Sequence, residues 1–205
     1  YPGGRLNVAH NAVDRHAAVD EPARNRLALL WEGEPGDVRR YSYHDLARES
    51  NRVASYLDGV GVETGDAVAL YMPMVPEVAS VLYGCLKLGA IAVPVFSGFG
   101  ADATATRLAE SGAEVLFTAD GFHRRGNEVL LKPTADEALA EAGGVERVVV
   151  HDRLGASDPG SDVSVPFDPG RDAWWGDAVG DAAPRFETRS LPSDATPLPL
   201  VATEP

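Results

Sequence analysis

Apolar residues along the chain follow two rhythms, a spacing of three to four positions and short continuous runs, and the two alternate. Leu6, Ala9, Val13 and Ala17 share one helical face, which predicts a helix from Leu6 to Ala17. Arg26–Trp31 and Arg39–Tyr43 have strand length and flank the turn-rich Gly33-Glu34-Pro35-Gly36-Asp37, predicting a short hairpin. Ser42 and Asp45 form a helix-start signal, followed by Leu46, Val53, Ala54 and Leu57 on one face and closed by Gly59 and Gly61. A regular alternation then begins. Strands are expected at Ala67–Tyr71, Ile91–Phe96, Val115–Thr118 and Arg147–Val150. The helices between them run from Pro76 to Leu88, near Asp102–Ser111, and over about Thr134–Ala142. Repeated strand–helix–strand units predict a doubly wound α/β fold, with a mostly parallel sheet and helices on both faces.

Beyond His151 the texture changes. Asp-Pro-Gly-Ser-Asp at 158–162 is echoed by Asp-Pro-Gly-Arg-Asp at 168–172, which reads as turn chemistry rather than as a cation loop. A short helix is expected around Asp172–Val179, with Trp174 and Trp175 as packing anchors. The organisation expected is therefore an α/β unit over 1–151, a turn-rich connection over 152–190, and a proline-rich irregular tail over 191–205.

The chain has 205 residues, 44% of them hydrophobic, enough for one domain with a substantial core. No apolar run reaches the length of a membrane span, and the opening Tyr-Pro-Gly-Gly-Arg is unlike a signal peptide. The absent initiator Met means a start that is missing or processed. Cys85 is the single cysteine, which excludes an intrachain disulfide and fits a reducing, cytoplasmic interior. Acidic residues number 31 against 18 basic ones, a formal charge of −13, and only Lys87 and Lys132 are lysines. That balance disfavours nucleic-acid binding, and the scarcity of lysine favours a surface adapted to high salt.

The residues themselves offer few candidates for chemistry. The five histidines are scattered, and Cys85 lies in an apolar helix, where a buried inert thiol is expected. Ser97-Gly98-Phe99-Gly100 follows a strand and precedes a helix, the position of many ligand loops and of many plain turns. Asp120-Gly121-Phe122-His123-Arg124-Arg125-Gly126-Asn127 follows the strand at Val115–Thr118, at the end of the sheet where ligands bind. Adjacent arginines there suit a phosphate, and a solvated basic loop fits the same residues equally well.

Several stretches resemble one family. Gly3-Gly4-Arg5-Leu6-Asn7-Val8-Ala9 with Val13-Asp14-Arg15-His16 is similar to the opening of AMP-forming acetate–CoA ligases, within the adenylate-forming acyl-CoA synthetases. Trp31-Glu32-Gly33-Glu34-Pro35-Gly36-Asp37, Tyr71-Met72-Pro73-Met74-Val75-Pro76-Glu77, Gly89-Ala90, Val95-Phe96-Ser97-Gly98-Phe99 and Thr118-Ala119-Asp120-Gly121 continue the likeness in order, over roughly residues 1–194. The resemblance implies that a carboxylate attacks ATP to give an acyl-adenylate, from which the thiol of CoA takes the acyl group. It implies that residues 1–151 are the N-terminal α/β subdomain of such an enzyme. It further implies that Arg124, Arg125, Gly126 and Asn127 meet the nucleotide end of CoA, with Asn127 where a base is usual. Ser97 and Gly98 would lie near the pantetheine arm, with Ser97 where glycine is common. The phosphate loop for ATP, the magnesium contacts and the adenylating lysine of the family fall beyond Asp194, so no catalytic residue is expected on this chain and an inactive fragment is. Small-molecule partners follow: a short carboxylate, ATP and CoA, together with the missing C-terminal part. The alternatives are a non-catalytic CoA- or nucleotide-binding module, or a remnant whose reading frame broke near residue 195.

Overall fold

The computed structural model describes residues 3–195. The first element is not the helix expected from Leu6 but a two-residue strand, β1 (Arg5–Leu6), followed by a π-helical turn at His10–Asp14 and α1 (Arg15–Ala17). Asn7 is what delays the helix. Its side-chain oxygen accepts from the Ala9 N–H at 2.8 Å, and its amide donates to the Leu86 and Arg189 carbonyls at 2.6 and 2.8 Å. Satisfied by distant backbone, Asn7 stands at the helix start instead of inside it.

Strands β2 (Leu27–Glu32) and β3 (Val38–Ser42) pair antiparallel as the expected hairpin. Helix α2 (Tyr43–Gly59) starts on a complete capping box between Ser42 and Asp45. The alternation follows as β4 (Ala67–Met72), α3 (Pro76–Leu88), β5 (Ile91–Phe96), α4 (Ala101–Ser111) and β6 (Val115–Ala119). Next come β7 (Gly121–Arg124) and β8 (Asn127–Leu130), then α5 (Lys132–Ala142), β9 (Arg147–His151), β10 (Asp172–Trp174), a π-helical turn at Gly176–Gly180, and β11 (Leu191–Pro192).

Five strands form one parallel sheet in the order β10-β9-β6-β4-β5. Alternate residues of β4 serve opposite faces: Val68, Leu70 and Met72 pack with α2 and α3, while Ala69 and Tyr71 join the core under α4 and α5. The crossover from β4 to β5 runs through α3, and the chain then returns past β4 to β6. The direction of winding therefore reverses beside β4, and the carboxyl ends of β4 and β6 open there.

Two expectations need correction. Asp172–Trp174, expected to begin a helix, is the edge strand β10, paired in register with Val148–Val150. Local spacing there yields to the open edge of β9 and to Asp172, which is held by the Arg171 guanidinium at 2.7 Å and lies 2.7 Å from the fully buried Lys132 ammonium. The stretch 120–127, read as a loop, is largely the β7–β8 hairpin. Trp174 stacks on Phe167, and Trp175 meets Phe117 edge-on, so both tryptophans do anchor the packing. The repeated Asp-Pro-Gly segments are turns, with Asp158 and Asp168 accepting from the N–H groups of Gly160 and Gly170.

Of the expected irregular tail, Leu191 and Pro192 instead pair with Leu6 and Arg5, and residues 196–205 lie outside the described residues. No helix among the described residues is long and apolar enough to cross a membrane.

Candidate functional site

Four chain segments leave the carboxyl ends of parallel strands toward one place. After β4 comes Pro73-Met74-Val75, after β5 Ser97-Gly98, after β6 the β7–β8 hairpin, and after β9 the turn that carries Arg153. Between them and the tip of the β2–β3 hairpin lies a cavity of about 280 Å³, lined by Trp31, Glu34, Met74, Phe96, Ser97, Gly98, His123, Arg124 and Arg153 among others. A larger hollow, about 720 Å³, opens between the N-terminal helical segment, α2 and residues 184–188. None of its lining residues comes from the parallel sheet, and the smaller cavity, at the reversal of winding, is the candidate ligand site.

The walls are fixed by polar contacts that run from a buried carboxylate out to the surface. Asp120 is fully buried, and its carboxylate accepts from the N–H groups of Gly121, Arg153, Leu154 and Ala156 at 2.7 to 3.2 Å. It thereby ties the segment after β9 to the end of β6. Burial raises the pKa of its carboxyl, and those four donors oppose the rise without cancelling it. The Trp31 indole donates to the Met74 carbonyl at 2.7 Å, while the guanidiniums of Arg39 and Arg153 lie 4.7 and 5.2 Å from its ring centroid. Arg39 also forms a two-pronged bond to Glu77 at 2.6 and 3.2 Å. The His151 imidazole sits 3.5 Å from the same carboxylate; burial lowers its pKa and Glu77 opposes that shift. Behind the cavity the Tyr71 hydroxyl donates to the Phe99 carbonyl at 2.7 Å, and Arg107 covers the Phe99 ring, so the residue after Ser97-Gly98 is held by β4 and by α4.

The hairpin tip has a special backbone. Arg125 and Gly126 adopt φ of 53° and 77°, both left-handed, as a two-residue turn between Arg124 and Asn127 requires. Glycine takes this conformation freely, and Arg125 is the one non-glycine residue of positive φ among those described. The Gly126 N–H donates to a Glu34 carboxylate oxygen at 2.6 Å, and the Asn127 side chain donates to the Arg125 carbonyl at 3.1 Å.

Arg124, Ser97 and Gly98 thus share one cavity, whereas Arg125, Gly126 and Asn127 occupy the hairpin tip beside it and do not line it. Trp31, Glu34 and Arg153 belong to the same cavity and were not singled out from the sequence as site residues. Trp31 closed an expected strand and Glu34 stood in an expected turn, both within a heptapeptide that carried the family resemblance but no site role, and Arg153 followed a strand with no motif of its own. Cys85 is buried, with its thiol pushed up to about 12 by desolvation. Among the described residues, no three His, Cys, Asp or Glu side chains converge as a metal-binding group.

Residues 13–192 match the family described as AMP-binding enzyme. Acetyl-coenzyme A synthetase of Pyrobaculum arsenaticum is 48% identical over 183 residues, which are 85% of this chain and 26% of that protein. The enzymes of the same name from Methanothrix thermoacetophila and Deinococcus radiodurans are 43% and 39% identical, over 92% and 95% of this chain. The chain spans about a quarter of the length of these relatives, 26% to 29%. A crystal structure of an acyl-CoA synthetase from Brucella canis matches 96% of this chain and 31% of its own, with a TM-score of 0.74 and 25% identity. With the family matched over most of its length and the fold shared, the chain belongs to the AMP-binding enzymes.

Proposed function

We propose that this chain is the N-terminal part of an AMP-forming acetate–CoA ligase, and that its cavity at the carboxyl end of the sheet receives the nucleotide end of CoA. The whole enzyme would join a short carboxylate to ATP as an acyl-adenylate, releasing pyrophosphate, and then pass the acyl group to the CoA thiol, releasing AMP. Magnesium, when bound, would neutralise the charge of the ATP phosphates. No group of side chains among the described residues fits that ion, so no step is assigned to it here. Small-molecule partners, a cytoplasmic location and an acidic surface adapted to high salt complete the proposal, the last resting on the formal charge of −13.

The observation that carries the reading is the convergence of Arg124, Ser97 and Gly98 on one cavity where the winding of a parallel sheet reverses. Arg124 is exposed and free of ion pairs among the described residues, as a side chain awaiting a phosphate should be. Its neighbours Arg125, Gly126 and Asn127 present the rim of the same hairpin. A charge-assisted hydrogen bond is worth ~1.5–3 kcal/mol, so Arg124→Ala should weaken CoA binding about ten-fold or more. Dephospho-CoA, which lacks the ribose phosphate, should bind with nearly the same affinity to both proteins. Titration calorimetry on the two proteins with the two ligands is the test. Equal loss for both ligands, or for neither, removes the phosphate contact from Arg124.

A further inference from the structure

Glu34 is an odd residue to find beside a cavity proposed for an anion. It sits on the turn of the β2–β3 hairpin, exposed, and its carboxylate makes no ion pair among the described residues. What it does hold is backbone: the Gly126 N–H donates to it at 2.6 Å across the mouth of the cavity. The Arg125 N–H, its neighbour in the same two-residue turn, also favours that carboxylate, so two consecutive backbone donors of the hairpin tip serve one anion. Arg124, one residue earlier, adds a guanidinium. A carboxylate oxygen and a phosphate oxygen are equivalent acceptors for such donors.

We propose that Glu34 is an internal anion that occupies the Arg125–Gly126 amide pair and competes with the phosphate monoester of the ligand, which must displace it to bind. The proposal rests on the reading of this cavity as the site for the nucleotide end of CoA, and it assigns that site a residue that sets its affinity. The contact is short, and the N–H groups of Gly126 and then Arg125 hold the Glu34 carboxyl below its usual pKa, with His123 and Arg124 adding to the effect. The displacement is also local. The turn that carries Glu34 keeps its shape through bonds of its own, Gly33 N–H to the Asp37 carbonyl and Gly36 N–H to the Gly33 carbonyl, each at 2.8 Å. Only the side chain has to swing aside. Once displaced, the Glu34 charge remains close to the incoming phosphate, so it also discriminates against a doubly charged group relative to an uncharged hydroxyl.

The test uses the whole chain in four forms: wild type, Glu34→Gln, Glu34→Ala and Arg124→Ala. CoA and dephospho-CoA are titrated into each, and the Gly126 amide is followed by nuclear magnetic resonance. Removing a charge a few ångströms from the phosphate should tighten CoA binding about three- to ten-fold in both Glu34 variants, with a smaller change for dephospho-CoA. In the wild type the Gly126 amide signal should move on CoA addition, and in Glu34→Ala it should start from a shifted position. Weaker or unchanged CoA binding in Glu34→Ala, with Arg124→Ala still impaired, overturns the competition and leaves Glu34 as a brace between two hairpins; the reading of the cavity then survives. Failure of all four proteins to bind CoA, or no effect of Arg124→Ala, overturns both. Glu34 is exposed, so unchanged melting temperatures in the Glu34 variants separate these outcomes from misfolding.

Discussion

Both lysines of the chain are buried, and each is held by aspartate. Lys87 lies inside α3 and bonds to Asp14, whose other oxygen accepts from the Thr188 hydroxyl at 2.6 Å. The pair joins the N-terminal segment to α3, and Thr188 ties the segment before β11 to the same aspartate. Burial lowers the pKa of Lys87 and Asp14 opposes it, so the charge survives only while its partner is present. Asp14→Ala should therefore destabilise the fold by ~3–5 kcal/mol in urea unfolding, whereas Lys87→Met, which removes the charge itself, should cost clearly less. Equal losses would mean that packing, not charge, dominates there. Asp172 makes a prediction in pH. Burial alone would raise its carboxyl; Arg171, Lys132 and the Asp168 backbone together outweigh that and hold it below the ordinary value of 3.8. A depressed acid contributes stability that is complete above the unfolded value and is lost as pH falls through the folded one. The melting-temperature gap between wild type and Asp172→Asn should thus be constant above about pH 5 and shrink below about pH 4. A gap that is flat to pH 2.5 would contradict the shift.

At the scale of elements, α2 and α3 approach each other closely. A Cβ built on Gly84 would stand 2.5 Å from a methyl of Val53 and 3.2 Å from the Ala54 nitrogen. Glycine inside a helix ordinarily costs ~1 kcal/mol relative to alanine, so an isolated α3 would gain from Gly84→Ala. Overpacking in a filled core costs ~1–3 kcal/mol, and here it should win. Gly84→Ala is expected to unfold at lower urea than wild type, and Gly84→Ala with Val53→Ala to recover part of the loss; a stabilised single variant would refute the tight contact. Gly84 illustrates what a single sequence conceals. The strands β4, β5, β6 and β9 and the helices between them were legible because the strands are continuous apolar runs, buried on both faces in β4 and β6, and each helix buries a periodic face. β10 and β11 were not, because Asp172–Trp174 and Leu191–Pro192 are too short for a period and become strands only by pairing with Val148–Val150 and with Arg5–Leu6. The site divides in the same way. Arg124, Ser97 and Gly98 could be found from their place after a strand, whereas Trp31, Glu34 and Arg153 come to the cavity from a hairpin and a turn whose position no local pattern fixes.

For the molecule as a whole, the charge of −13 acts on every surface carboxylate at once. At 1 M salt the Debye length falls to about 3 Å, which removes most of their mutual repulsion. The melting temperature followed by circular dichroism should rise between low and molar potassium chloride, and an unchanged value would sink the salt-adapted surface. The pairing of β1 with β11 has a different kind of consequence. Arg5 faces Pro192 and Leu6 faces Leu191, so the two arms of the chain leave this short ladder from the same end. Tension applied to those arms would open the ladder one hydrogen bond at a time, as a zip opens, instead of shearing all of it together. The next holds would be the Asn7 bonds to Leu86 and Arg189, and after them the Lys87–Asp14 pair. The domain therefore has a mechanically soft corner beside a stiff parallel sheet. Pulled by its ends, as in an optical trap or by an unfolding motor, it would yield there first, with the candidate site at the carboxyl end of the sheet still intact.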